Sequence, residues 1–425
     1  MLISLIWGLT IGIAGFVVLV ALIWLVSKRP IVGLYLLSIP LIALWEYPNS
    51  PLVTSVLGSQ IYLLDILSIV FICSAPLIVK KRRGSPSITV LWVALFAIFA
   101  SSVCWGLTAY GTSAPIVEAR QQLSFFAPAV WCVLVDWAPL KRSILRWMYA
   151  AGWTLIAVSI FHAARYGIGD ASSFVESATG EQVGRVLVSV QALALMLFAW
   201  FSAVHGQMRR RWFFVAACAA AVVLSQQRTV WVVAIVVFSI SLLVSQRRAR
   251  TMTVVGLAGT VLALVTLTGA LSSLDFLAQS AGNDSTYVAR SYSWGQLINQ
   301  AVDNGAQTVL TGAPYGSGFI RLEMNGQIAT FNPHNWYLTL FLRLGAIGLA
   351  LFLAVIILTL ATQLKNKQWT WAIAGTAGLL VYGWTYNLPF IAAPLLGMFL
   401  SVAVRKDAPG THDRNGEDRH IAYAQ

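Results

Sequence analysis

Charge is what this sequence has least of. Only 10% of its residues are Asp, Glu, Lys or Arg, against about 25% in a soluble domain. With 58% hydrophobic residues, it has too little polar surface to cover a water-soluble globule. Acids are scarcer still, 15 against 28 Lys and Arg, for a net charge of +13. In a soluble chain that excess would point to nucleic acid. Here the basic residues cluster between apolar stretches, as in the cytoplasmic loops of membrane proteins, and no nucleic-acid partner is expected. The four cysteines (Cys73, Cys104, Cys132 and Cys218) all sit in apolar stretches without a C-x-x-C pair, which makes them core residues. No basic segment precedes the first apolar run, Leu2 to Val26. That run is long enough to cross a bilayer, so a retained helix is expected and not a cleaved signal. There is no internal repeat. The few acids outside the basic connections are scattered, without ligand spacing, so neither a metal nor another cofactor is expected.

What the chain has in abundance is long apolar runs. A helix needs roughly 20 apolar residues to cross about 30 Å of hydrocarbon. Thirteen such stretches fall near 2–26, 31–45, 61–79, 87–109, 117–137, 147–164, 186–204, 212–227, 229–244, 251–271, 334–361, 369–386 and 388–404. The second is short, and tight turns divide 212–244 and 369–404. The expected fold is therefore an all-α, polytopic transmembrane bundle of twelve or thirteen spans. It forms one domain over 1–406, followed by a polar, disordered tail at 407–425. Basic clusters at Lys28-Arg29, Lys80 to Arg83, Lys141 to Arg146, Arg209 to Arg211, Arg247 to Arg250, Lys365/Lys367 and Arg405-Lys406 mark every second connection as cytoplasmic. The C-terminus follows on that side. The N-terminus lies outside with thirteen spans and inside with twelve.

The other face carries two long segments, Arg165 to Arg185 and a loop at 272–333. The second is too long to be a mere connection. Within it Asp284 or Ser285 can cap a helix whose Trp294, Leu297, Ile298, Ala301 and Val302 form an apolar stripe at helical spacing. Such a helix either lies on the membrane or packs on the protein's own outer surface.

All seven lysines map to the cytoplasmic side, whereas the outer face keeps Arg120, Arg165, Arg185, Arg228, Arg290, Arg321 and Arg343. Arginine grips phosphate with a planar fork and is the cheaper cation to desolvate. A phosphate-bearing amphiphile at the outer leaflet is the natural ligand of such a set. Arg228 stands beside Gln226 and Gln227 between two apolar runs. Arg120 follows Glu118, so a local ion pair is its alternative role, and Arg343, deep in its span, is expected to pair structurally. His334 lies in Phe331-Asn332-Pro333-His334-Asn335-Trp336-Tyr337-Leu338. Asn332 suits an N-cap and Pro333 the first helical position, which places His334 in the first turn. There the positive helix end and the arginines would lower its pKa, leaving a neutral imidazole able to accept a proton. His162 is a weaker rival. Gly312, Gly316 and Gly318 form a flexible turn whose N–H groups can meet an anion.

Together these residues resemble the O-antigen ligase and O-antigen polymerase superfamily of bacterial membrane glycosyltransferases. The resemblance runs over roughly Arg120 to Gly348. Gln227-Arg228-Thr229-Val230-Trp231 is similar to the family's Ser-x-x-Arg helix start, and Arg290 with Trp294 to its Arg-x-x-x-Trp. Leu310 to Phe319 is similar to its glycine-rich turn. The most specific piece is His334-Asn335-Trp336-Tyr337-Leu338 followed by Leu344-Gly345-Ala346-Ile347-Gly348. Arg185, Val186 and Gln191 resemble an earlier block loosely.

The resemblance implies a metal-independent, inverting transfer of glycan from undecaprenyl diphosphate to an acceptor hydroxyl, at the periplasmic face of the bacterial inner membrane. The acceptor would be lipid A–core in a ligase or the growing glycan in a polymerase. By this analogy Arg228 and Arg290 hold the diphosphate, and His334 deprotonates or orients the acceptor hydroxyl. Arg120, Arg185, Asn335, Tyr337 and Tyr315 are the expected further substrate contacts. Membrane lipids are the surrounding partner. A lipid-glycan flippase or transporter is the alternative from another class, although such proteins tend to show internal repeats and midplane charges, whereas here no repeat is found and the notable groups cluster at one face.

Overall fold

A computed structural model describes residues 2–44, 52–56, 59–79, 86–137, 139–166, 186–205, 211–244, 285–323, 326–365 and 370–403. The helices are α1 (Leu2–Lys28), α2 (Pro30–Ala43), α3 (Leu63–Val79), α4 (Pro86–Tyr110), α5 (Ser113–Leu134), α6 (Lys141–Tyr166), α7 (Ser189–His205), α8 (Arg211–Leu224), α9 (Arg228–Val244), α10 (Ser285–Asp303), α11 (Ala306–Thr311), α12 (Trp336–Lys365), α13 (Thr370–Thr385) and α14 (Ala392–Ala403). Two small antiparallel hairpins interrupt them, β1 (Leu52–Val56) with β2 (Ser59–Tyr62), and β3 (Arg321–Leu322) with β4 (Ile328–Ala329). The chain is an all-α helical membrane protein, as expected. Twelve of the thirteen apolar stretches coincide with helices. The remaining stretch at 251–271, the tail at 407–425, Arg185 and the basic clusters at 80–83, 247–250 and 405–406 lie outside the described residues.

Among the described residues three helices are long and apolar enough to cross a membrane, Ile88–Tyr110, Lys141–Arg165 and Trp336–Leu364, and six shorter apolar helices accompany them. The outward side chains are those a bilayer would cover. Phe16 is 66% exposed, Phe213 69%, Ile235 66% and Leu243 76%, a surface too apolar for water.

In lipid there is little hydrophobic drive between helices, so close packing and interhelical hydrogen bonds must hold the bundle. Helix α5 packs against α3, α4 and α14. Its Phe125 and Phe126 meet Trp336 at ring centroids of 4.6 and 5.8 Å. Three buried donors bond across helices: Trp147 Nε1 donates to Ser38 Oγ at 2.8 Å, Gln191 Nε2 to Leu41 O at 3.0 Å and Gln363 Nε2 to Phe399 O at 2.8 Å.

One irregularity positions the segment that precedes α12. Helix α12 is interrupted at Gly345, whose φ is 66° and ψ −172°. A Cβ there would lie 2.1 Å from Leu310 O, and one on Gly312 (φ 80°) 2.4 Å from Arg343 C. The two glycines thus let the backbone of the loop and that of the helix touch. Broken backbone at membrane depth must find other partners. Just before the break, Leu342 O accepts Ala313 N at 2.8 Å and Arg343 O accepts Ser102 Oγ at 3.0 Å. The glycine-rich turn is thereby wedged into the bundle between α4 and α12.

Helix α10 starts at Ser285, one of the two expected caps. Its Trp294, Leu297 and Ala301 pack with Phe319, Leu338 and Leu342. The stripe therefore lies on the protein's own surface on that side. Ile298 and Val302, on its flank, stay 41% and 56% exposed.

Candidate functional site

The site is built around the start of α12. That helix begins at Trp336, and its cap is Asn335, whose Oδ1 accepts Leu338 N at 3.0 Å. This corrects the expectation of a cap at Asn332 with Pro333 in the first turn. Asn332 is engaged elsewhere, donating Nδ2 to Gln121 Oε1 at 2.8 Å. Pro333 O accepts Asn335 N at 2.8 Å, closing a turn ahead of the helix. His334 consequently stands on that turn, outside the helix.

His334 lies between Phe331 and Tyr386, at ring centroids of 5.7 and 5.9 Å. Burial above all, then the positive charges of Arg290 and Arg321, lower its pKa from 6.5 to about 4. The direction is the expected one, but burial is the largest cause. The imidazole is neutral at pH 7, able to accept a hydrogen bond or a proton at one nitrogen.

Arg290 reaches the same place from α10. It donates Nη1 to Thr385 O at 3.0 Å, and its guanidinium lies 5.2 Å from the Tyr386 ring centroid. Thr385 Oγ1 in turn donates to Thr229 Oγ1 at 2.9 Å, one residue after Arg228, the half-buried first residue of α9. The C-terminal end of α13 is therefore where His334, Arg290 and the start of α9 meet. The turn before Arg228 holds Gln226 at φ 54°, a sparsely populated conformation for a side-chain-bearing residue, and Gln227 Nε2 donates to Leu187 O at 3.3 Å.

Arg321, from β3, backs the histidine. It is only 5% exposed, donates to Phe319 O at 3.0 Å, Phe331 O at 2.7 Å and Ser293 Oγ, and lies 4.6 Å from the Phe331 ring. His334, Phe331 and Tyr386 border a cleft of about 1050 Å3, lined also by Asn332, Gln121, Tyr382 and Asn387, among others; Arg290 and Arg321 stand behind these residues and not in its lining. A polar network floors it. Gln121 Oε1 accepts from both Asn332 (2.8 Å) and Asn387 (3.2 Å), and Asn387 donates to Pro333 O at 3.1 Å. Sequence reasoning missed Gln121, Tyr386 and Asn387. The available signal was Asn387, a polar residue between the last two apolar runs, with the helix-breaking Pro389 just after it.

Other expected site residues lie apart from this convergence. Arg120 grips Asp65 through Nε (3.0 and 3.1 Å) and donates Nη2 to Gln60 O at 2.7 Å. Its alternative local partner, Glu118, pairs with Arg343 instead. Tyr315 is fully buried against Phe99, and its hydroxyl has no hydrogen-bond partner. Tyr337 donates to Leu380 O at 2.8 Å, between helices. Asn335 is spent as a cap. Arg343, expected to pair structurally, binds Glu118 and Gly318 O and covers the Phe319 ring at 3.9 Å. The other Glu118 oxygen accepts Gly316 N at 2.8 Å and Gly318 N at 3.3 Å. The turn's N–H groups thus meet an anion belonging to the protein. Among the described residues no three His, Cys, Asp or Glu side chains group as a metal site.

The helical bundle defines an integral membrane protein, with a cleft at one end of its helices lined by His334, neutral polar groups and Glu118. Residues 213–353 match the family model described as O-antigen ligase. That segment contains Arg228, Arg290, the glycine-rich turn, His334 and Gly345, and the match supports membership of the O-antigen ligase superfamily and a membrane enzyme of the ligase or polymerase type. No curated protein matches the chain.

Proposed function

We propose that the protein is an inverting glycosyltransferase that moves a glycan from undecaprenyl diphosphate to an acceptor hydroxyl at the periplasmic face of the inner membrane, as an O-antigen ligase acting on lipid A–core. The observation that carries this reading is the convergence of Arg290 and His334 on Tyr386 at the cleft. Arg290 and Arg228 hold the diphosphate and stabilise the charge that grows on it as the sugar–phosphate bond breaks. Fixed cations aimed at developing charge are typically the largest catalytic term. His334 takes the proton of the attacking hydroxyl, which bonds to the anomeric carbon from the face opposite the leaving diphosphate.

A base with a pKa of about 4 is a weak one. The bound diphosphate offsets the arginine charges and raises that pKa toward the working pH, where a general base acts best. The substrate thus switches on the base that consumes it. Arg120 and Arg185 remain proposed substrate contacts. For Asn335, Tyr337 and Tyr315 the contribution is through the packing that shapes the cleft.

A polymerase would use the same donor site, and a deletion strain separates the two. Carrier-linked long chains absent from core mean ligase, and single repeat units on core mean polymerase. Unaltered surface glycan would contradict both.

A further inference from the structure

A second, smaller cleft of about 470 Å3 lies on the other side of the Gly316–Phe319 turn, between the end of α4, α10 and α11. The two clefts share Tyr110, Gly318 and Phe319 as lining, so they adjoin at that turn. The chemistry of the smaller cleft is different. Among its lining residues there is no carboxylate, and its one cation, Arg343, is committed to Glu118, Gly318 O and the Phe319 ring. What it offers instead is amides, hydroxyls and aromatic faces. Asn304 and Gln307 present exposed side-chain amides with no hydrogen bond inside the protein. Gln300 is fixed by donating to Ile320 O at 3.1 Å. Ser317 Oγ has no partner. Trp105 and Tyr110 stand 46% and 49% exposed at the outer end of α4.

We infer that this cleft binds neutral sugar residues of a glycan chain whose reducing end or acceptor hydroxyl is at His334. Sugars present hydroxyls that donate and accept at once, which amide side chains match on both counts. Their C–H faces stack on amphipathic aromatic rings. An anionic ligand would need an uncommitted cation, and an apolar one would leave the amides unpaired. The inference rests on the glycosyl-transfer reading for the identity of the chain, while the binding itself is measurable without transfer. The sugars belong either to the donor glycan beyond its first unit or to the acceptor.

The test titrates the purified full chain in micelles with two probes, the glycan released from its lipid carrier by mild acid and the oligosaccharide portion of lipid A–core. One of the two binds, and Asn304→Ala/Gln307→Ala weakens it about tenfold, the loss expected for a pair of hydrogen bonds. Whichever probe responds identifies donor or acceptor as the source. Trp105→Leu weakens the same probe, and Trp105→Phe, which keeps an aromatic face, restores it. This separates stacking from a role at the membrane interface, and it supplies an independent reading should the double variant fail to fold. Unchanged affinity in the folded variants, or no binding of either probe to the wild type, overturns the site. Sugar binding that depends on Asn304 and Gln307 without any transfer would sustain the site while refuting the glycosyl-transfer reading. Normal transfer with unchanged sugar affinity would do the reverse.

Discussion

Arg290 and Arg343 are the same residue type, both mapped to the outer face, both close to the glycine-rich loop in sequence. Their surroundings differ. Arg343 is 3% exposed and bound on every side, by Glu118, by Gly318 O and by the Phe319 ring. Arg290 is half-buried, spends one nitrogen on Thr385 O, and lies over Tyr386, the ring that His334 also contacts. A guanidinium carries five donors. The arginine whose donors are consumed braces the turn, and the one whose fork is still open is available to a ligand. Arg321 belongs with the first and supports the second, because its buried charge helps keep His334 neutral.

That contrast can be broken or sharpened by substitution. The largest effect falls on the ligand-facing side. His334→Ala lowers transfer about 10²- to 10⁴-fold, the usual contribution of a positioned general base, with protein levels and fold unchanged. On the bracing side the loss is in stability. Glu118→Ala leaves Arg343 buried without its counter-ion and costs about 3–5 kcal/mol, read as a lowered melting temperature of the purified protein. Arg290→Lys keeps the charge but removes the fork. It raises the donor dissociation constant about tenfold with little change in melting temperature, opposite to the Glu118 pattern. Smallest is Asn335→Ala, the loss of an N-cap worth about 1 kcal/mol, again seen in melting temperature.

Much of the architecture was legible because hydropathy records where lipid will be, and twelve apolar stretches map onto helices one for one. Start signals marked where α10 begins, at Ser285. They failed at Asn332, because Gln121, more than 200 positions away, claims its side chain and Asn335 caps the helix instead. The pairing of Arg343 with Glu118, and of Arg120 with Asp65, is equally non-local, and Arg120's nearest acid in sequence was the wrong guide. Gly345 was visible as a motif residue. Its purpose, to let Leu310 O come against the broken helix, required the loop in place. For the site, arginine and histidine were legible as residue types whose charge is costly in a membrane. The amide network of Gln121, Asn332 and Asn387 was not, because neutral polar residues at helix ends carry no such distinguishing cost.

The central claim is that Arg290 and His334 act on one another beside Tyr386. The pH dependence of kcat/KM for glycan transfer tests it directly, since its acid limb reports the base in the free enzyme. The wild-type limb lies near pH 4, set by burial, Arg290 and Arg321. Arg290→Gln removes one of the two positive charges, so the limb moves upward and stays below 6.5 because burial remains. An acid limb at the same pH in wild type and Arg290→Gln would contradict the account.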